Sequence, residues 1–455
     1  MSKINITDVV NEGKFNRFHL GLLICCCLII VFDMFDLVIY SSIVPIIMEE
    51  WSISPVEAGA IGSYGIFGMM LGAIFFGILA DKFGRKNILI LCVILFSIFT
   101  FLCAFAPGPL TFSTFRFIAG VGIGGVLPNV IAIMTDYAPK HLHNTMVSIV
   151  MCAFSVGGIL AGFVGIYFIP LLGWKSVYWV AAIPLLIIPF MIKYFHDSPA
   201  ILLVKGRIDE LRYVLSKVND KVSLTPEIEF VTSTEIEKDP SSPVIALFKN
   251  NRALGTVMIW IAFFMCLLMI NGISIWLPNL MFSAGYALSS SLSFMIVLNI
   301  GAIIGTLILG GLADKFGVKK VLVPMFIMAA VSLTLLGFKN NMIVLYLLVL
   351  ITGACTMGAQ NISYAFVSQY YPSLMRSTAI GFASGIGRIG GIIGPTFGGI
   401  LVSLNLSTQM NFLSFAIPGI LAAIAFSFVP VKRTHHKKTI EINITEEENV
   451  YEIES

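Results

Sequence analysis

Four ionisable side chains, Asp33, Asp36, Arg116 and Arg388, fall inside long apolar stretches of the sequence. A charge at the centre of a membrane helix costs roughly 2.5–3.5 kcal/mol on insertion scales, so such residues are kept for function. Asp33 and Asp36 are three residues apart and share one face of a helix. Two carboxylates that close in a low dielectric do not both ionise freely, which suits a site that takes up and gives back a proton. The alternative is that one of them pairs permanently with an arginine and only orients helices. Arginine stays charged in proteins, so Arg116 and Arg388 each need a partner or an anion. Arg388 lies near the middle of its segment and is the candidate for a ligand carboxylate, which its guanidinium fork matches bidentately. Arg116 could pair with Asp36 or Asp33.

Aromatic and polar residues in neighbouring segments could complete a binding site. Tyr40, Tyr64, Phe67, Trp276 and Tyr364 are candidates for stacking a flat ring. Gln360 and Asn361, with Asn129 and Asn271, could line the same space or bond between helices. A second set of charges, Asp81, Arg85, Asp136, Asp314 and Arg376, lies in loops on one side, with His143 beside it. Glycines 120, 122, 124 and 125, and again 387, 390, 391, 394 and 398, let helices approach closely. The eight cysteines have neither metal-ligand spacing nor a disulfide framework and read as small apolar residues. There is no catalytic constellation, cofactor motif or metal cluster, so an enzyme, a metalloprotein and a nucleic-acid binder are not expected.

The elements that position these residues follow from composition. The 455 residues are 57% hydrophobic and 12% charged, with a mean hydropathy of +0.93. Soluble domains carry about 25% charged residues. Twelve apolar segments, at 20–47, 57–80, 87–106, 111–135, 144–169, 176–195, 253–281, 290–313, 320–338, 342–368, 377–403 and 410–430, are long enough to cross about 30 Å of hydrocarbon as helices. No separate cleavable signal is expected. Of 28 Lys and Arg, only Lys175 and Lys339 fall in the loops opposite the termini, which predicts both termini in the cytoplasm. The expected division is a cytoplasmic segment 1–19, a six-helix bundle 20–195, a cytoplasmic loop 196–252, a second bundle 253–430 and an acidic tail 431–455. In the central loop Ser198 and Pro199 can start a helix, and Ile208, Leu211, Val214, Leu215 and Val218 predict an amphipathic helix near the membrane surface.

An internal repeat organises the twelve. GILADKFG at 77–84 recurs as GGLADKFG at 310–317, an offset of 233 residues, and DYAPKHLH at 136–143 aligns with QYYPSLMR at 369–376 at the same offset. Two same-facing halves with a site between them at the midplane is a transporter arrangement. GILADKFGRKNIL (77–89) resembles the signature loop of the major facilitator superfamily, and RFIAGVGIGG (116–125) its fourth-helix motif. FDMFDLVIYSSIVPIIMEEW (32–51) and SGIGRIGGIIGP (384–395) resemble the first and eleventh helices of its aromatic acid:proton symporters. The departures are Met34 for a usual Gly, His143 for a usual Arg, and Val318 where the first copy has Arg85. The resemblance implies an all-α fold of two pseudo-symmetric six-helix bundles, with a gating role between them for the loop charges Asp81, Arg85, Asp136, Asp314 and Arg376. It also implies proton-coupled uptake of a small aromatic carboxylate (benzoate, hydroxybenzoate or protocatechuate class) by a monomer in the cytoplasmic membrane. Other readings are a carrier of nicotinate, shikimate or a non-aromatic acid, an efflux antiporter, or a membrane sensor.

Overall fold

The computed structural model describes residues 3–139, 141–219, 229–231, 247–249, 252–371 and 373–430. Twelve helices are long and apolar enough to cross a membrane. They are numbered here as spans: 1 (Arg17–Glu50), 2 (Pro55–Phe83), 3 (Arg85–Cys103), 4 (Pro109–Tyr137), 5 (His143–Leu172) and 6 (Ser176–Tyr194). The second half holds spans 7 (Ala253–Ser283), 8 (Leu288–Phe316), 9 (Val318–Leu336), 10 (Met342–Tyr370), 11 (Ser373–Ser403) and 12 (Thr408–Phe428). Span 1 starts earlier than its hydropathy suggests. Asn16 caps it, its Oδ1 accepting from the Phe18 and His19 backbone N–H groups at 3.0 and 3.3 Å. Span 8 is not uniform: Gly305–Leu309 winds as a π-helix between two α-helical parts.

The repeat seen in the sequence reappears contact by contact. A Cβ at Gly68 of span 2 would strike the Phe117 carbonyl of span 4; a Cβ at Gly301 of span 8 would strike the Leu350 carbonyl of span 10. Both members of the second contact lie 233 residues beyond those of the first. Only hydrogen side chains allow backbones this close, so each half clamps its helix pair with the same device.

The halves meet at the end away from the chain termini. There span 2 crosses span 11. Ser63 Oγ donates to the Ile392 carbonyl at 2.5 Å and lies 2.8 Å from Thr396 Oγ1. Gly59 faces the Pro395 carbonyl, and Gly399 faces that of Pro55. At the other end of the same helices, a Cβ at Gly77, Gly381 or Gly385 would meet nothing within 4 Å.

The terminal end carries a small folded cap. Strand β1 (Lys3–Asn5) pairs in parallel with β2 (Glu229–Val231), and helix Ile6–Asn11 follows β1. The central segment forms two helices, Pro199–Val204 and Ile208–Val218. The sequence reading placed the second helix at the membrane surface. Its apolar residues Leu211, Val214, Leu215 and Val218 are instead fully buried, against a cap that includes Val9 and Val10. Asn219 Nδ2 donates to the Val9 carbonyl at 3.1 Å, and Asn16 Nδ2 to the Lys217 carbonyl at 2.8 Å. Residues 431–455, which include the acidic tail, lie outside the described residues.

Candidate transport site

Span 1 delivers Asp33 and Asp36 into different surroundings. Asp36 is buried at 2% exposure and held by two side chains. Thr100 Oγ1 of span 3 donates to its Oδ1 at 2.6 Å, and Arg116 Nη1 of span 4 donates to its Oδ2 at 3.2 Å and to its backbone carbonyl at 3.0 Å. The Arg116 guanidinium also lies over the Tyr40 ring, 5.2 Å from its centroid. Asp33 is as deeply buried, at 1%, but its Oδ1 has no hydrogen-bond partner among the described residues.

Asp33 faces a cavity of about 200 Å³ between the halves. Arg388 of span 11 lines it from the other half, donating from Nη1 to the Met69 carbonyl of span 2 at 3.2 Å. Asp33 and Arg388 line the cavity from opposite halves, and among the described residues no ion pair joins them. The first half gives the cavity an apolar wall, formed by Met34, Leu37, Val38, Met69 and Phe154 among others. The second half gives it apolar groups too, among them Leu267, Ile270 and Met357, and most of its neutral polar ones: Asn271, Ser274, Gln360, Asn361, Tyr364 and Ser384. Tyr364 packs edge-on against Phe263, and its hydroxyl donates to Ser384 Oγ at 3.4 Å.

Asp33, Arg116, Arg388, Gln360, Asn361 and Tyr364, all singled out from sequence, thus share one cavity. Four aromatic candidates do not line it. Tyr40 is buried behind it, its hydroxyl donating to the Ala58 carbonyl at 2.6 Å. Trp276 is buried at the seal between spans 2 and 11, where Nε1 donates to the Pro395 carbonyl at 2.8 Å. Tyr64 and Phe67 are exposed, and Phe67 packs on Phe117. Asn129 spends its amide on the Gly125 carbonyl one turn back. Sequence reasoning passed over Thr100, Ser274, Ser384 and Thr306, because single hydroxyls on apolar helices carry no pattern.

Of the loop charges, Arg85 pairs with Asp136 where spans 3 and 4 reach the terminal end. Beside them Tyr137 donates its hydroxyl to the Asp197 carbonyl at 2.7 Å, and Asp197 Oδ2 accepts from Arg207 at 3.0 Å. Gly84, at φ 102°, leaves room for the Asp197 carboxylate, which a Cβ there would strike. His196 adds an ion-pair contact to Glu210 at 3.7 Å. Burial and the nearby Lys86 hold the His196 imidazole below its usual value, outweighing that contact. The side chains of Asp81, His143, Asp314 and Arg376 lie outside the described residues.

The model of the Major Facilitator Superfamily matches residues 26–307 and 295–445. A benzoate transport protein from Acinetobacter baylyi is 39% identical over 443 residues, 96% of this chain and 95% of that one. A gentisate transporter from Corynebacterium glutamicum is 33% identical over 88% of this chain and 84% of its own. A 4-hydroxybenzoate transporter of Acinetobacter baylyi is 29% identical over 93% of this chain and 94% of its own. Among solved structures, the xylose transporter of E. coli in a partially occluded inward-open conformation superposes with a TM-score of 0.73 at 17% identity, over 91% of this chain and 98% of that one. The twelve-helix fold, the contact-level repeat and the family match agree: the chain belongs to the Major Facilitator Superfamily and is a multi-pass membrane transport protein rather than an enzyme.

Proposed function

We propose that the protein couples uptake of a small aromatic carboxylate to a proton, in the cytoplasmic membrane, by alternating access. The observation that carries this reading is the pair across the cavity. Asp33 lacks a partner for one oxygen, and Arg388 faces it from the other half. One cation then serves two anions in turn. With Asp33 ionised, Arg388 balances it across the cavity. With Asp33 protonated, the guanidinium is released to hold the substrate carboxylate bidentately. The apolar wall of the first half receives the ring face.

In the cycle, a proton and the acid enter from outside, the halves rock, and both leave inward. Loss of the proton from Asp33 restores the competing anion and helps expel the substrate. The relatives' described substrates, benzoate, gentisate and 4-hydroxybenzoate, support the aromatic class. Asp36, fixed by Thr100 and Arg116, is assigned the structural role. The positive-inside pattern supports a cytoplasmic terminal end, where Gly77 of span 2 and Gly381 and Gly385 of span 11 face open space.

The test is uptake of labelled aromatic acids into vesicles holding only this protein. Gradient-driven accumulation is expected for the native chain. Asp33→Asn is expected to keep exchange of the acid across the membrane while losing accumulation above equilibrium. Undiminished proton-driven accumulation by Asp33→Asn would remove Asp33 from the mechanism.

A further inference from the structure

The polar wall of the cavity holds more than a carboxylate can use. Asn361 Nδ2 lies 3.0 Å from Thr306 Oγ1, and Thr306 Oγ1 lies 2.8 Å from the Ala302 carbonyl. A hydroxyl has one proton. Thr306 donates it to Ala302, so towards Asn361 it can only accept. That fixes the amide orientation: the NH₂ of Asn361 turns to Thr306, and its carbonyl oxygen turns away from span 8. Asn361 lines the cavity and is exposed to it. Thr306 sits in the π-helical stretch of span 8, a local winding that often marks functional sites.

Asn271 repeats the arrangement on span 7. Its Nδ2 donates to the Leu267 carbonyl at 3.1 Å, one turn back on its own helix, which leaves its oxygen for the cavity. Two amide oxygens are therefore held as acceptors around a space whose cation not paired with Asp36 is Arg388. A carboxylate has no proton to give them, and an unsubstituted ring has none either.

We infer that this site selects aromatic carboxylates whose ring carries a hydroxyl group, with Asn361 and Asn271 accepting from that hydroxyl and Thr306 acting as the positioning residue for Asn361. The inference deepens the proposed function and rests on it. Arg388 takes the carboxylate, the ring lies on the apolar wall of the first half, and the hydroxyl edge faces the second half.

The experiment measures dissociation constants of benzoate, 3-hydroxybenzoate, 4-hydroxybenzoate and 4-methoxybenzoate for the purified full-length protein. The methoxy acid keeps the size and the oxygen but cannot donate. At least one hydroxy acid is expected to bind roughly tenfold tighter than both benzoate and the methoxy acid. In Thr306→Val and in Asn361→Leu, that ratio is expected to fall several-fold towards one. The ratio is taken within each variant, so loss of folded protein cancels from it. Equal binding of all four acids by the native protein, or an undiminished ratio in both variants, would overturn the inference and leave aromatic-acid transport standing. Failure of every aromatic acid to bind would overturn the proposed function along with it.

Discussion

Asp33 and Asp36 illustrate how little spacing alone decides. Their three-residue separation puts both on one helix face, and that much is legible in the sequence. Which of them is paired depends on how span 1 is rotated against spans 3 and 4, and only the structure carries that. The outcome is unequal: Asp36 meets Thr100 and Arg116, while Asp33 keeps a bare oxygen beside the cavity. Their replacements should therefore fail differently. Asp36→Ala leaves Arg116 as a buried cation without its carboxylate, and breaking such a pair costs about 3–5 kcal/mol. A clear drop in thermal stability of the purified protein is expected from Asp36→Ala, and a much smaller one from Asp33→Asn. Equal stability losses would mean that the pair with Arg116 is no more structural than the cavity carboxyl. The aromatic candidates show the limit of sequence reasoning most plainly. With 36 Phe in the chain and apolar residues on every face of each span, hydrophobic periodicity no longer marks an inward face. Tyr364 points into the cavity while Trp276 and Tyr40 are buried elsewhere, and nothing in their spacing separates the three.

At the scale of elements, the twelve spans and the repeat were readable because length, hydropathy and an eight-residue recurrence are strong signals. Local winding was not. The π-helical turn at Gly305–Leu309 leaves no compositional trace, since any apolar run can wind that way. The central amphipathic helix was recognisable, but not what covers it, because protein and headgroup region accept the same apolar face. The crossing of spans 2 and 11 has a sharper consequence. At Gly59 an added Cβ would sit 2.5 Å from the Pro395 carbonyl oxygen, a backbone atom that cannot swing aside. Gly59→Leu should therefore wedge the two helices apart at this end. A cysteine introduced at Ser63, now bonded to span 11, is expected to react with a water-soluble thiol reagent in the Gly59→Leu background. It should stay protected when Gly59 is intact. Equal reactivity in both backgrounds would show that the seal does not depend on this close approach.

For the molecule as a whole, the distribution of charge predicts orientation. The loops opposite the termini hold only Lys175 and Lys339, so the terminal end is expected to face the cytoplasm. Tags at either terminus should be protected from protease in intact cells and cleaved once the membrane is opened. Cleavage of either tag in intact cells would reverse the assignment of inside and outside in the proposed cycle. The bipartite cavity was partly foreseeable at this scale. Charged residues belonging to different halves had to converge at the midplane, and Asp33 and Arg388 do. Which neutral residues line it was not, because the lining mixes apolar and polar groups from both halves and emerges only when two bundles of similar composition are set face to face.

Trp276 places a chromophore at that meeting. The pyrrole edge of its indole lies against Gly398, is fully buried, and is tied to the Pro395 carbonyl that also faces Gly59. Separation of spans 2 and 11 uncovers the Pro395 carbonyl from Gly59, and water competing for that carbonyl is expected to reach the indole bound to it. Indole fluorescence shifts to longer wavelength as its surroundings become more polar. Trp51 and Trp174 pack against each other within the first half. The protein thus carries its own optical gauge of the gate. The opening and closing of the seal can be followed in real time, without a label, as the part of the emission of five tryptophans that is lost when Trp276 is replaced by phenylalanine.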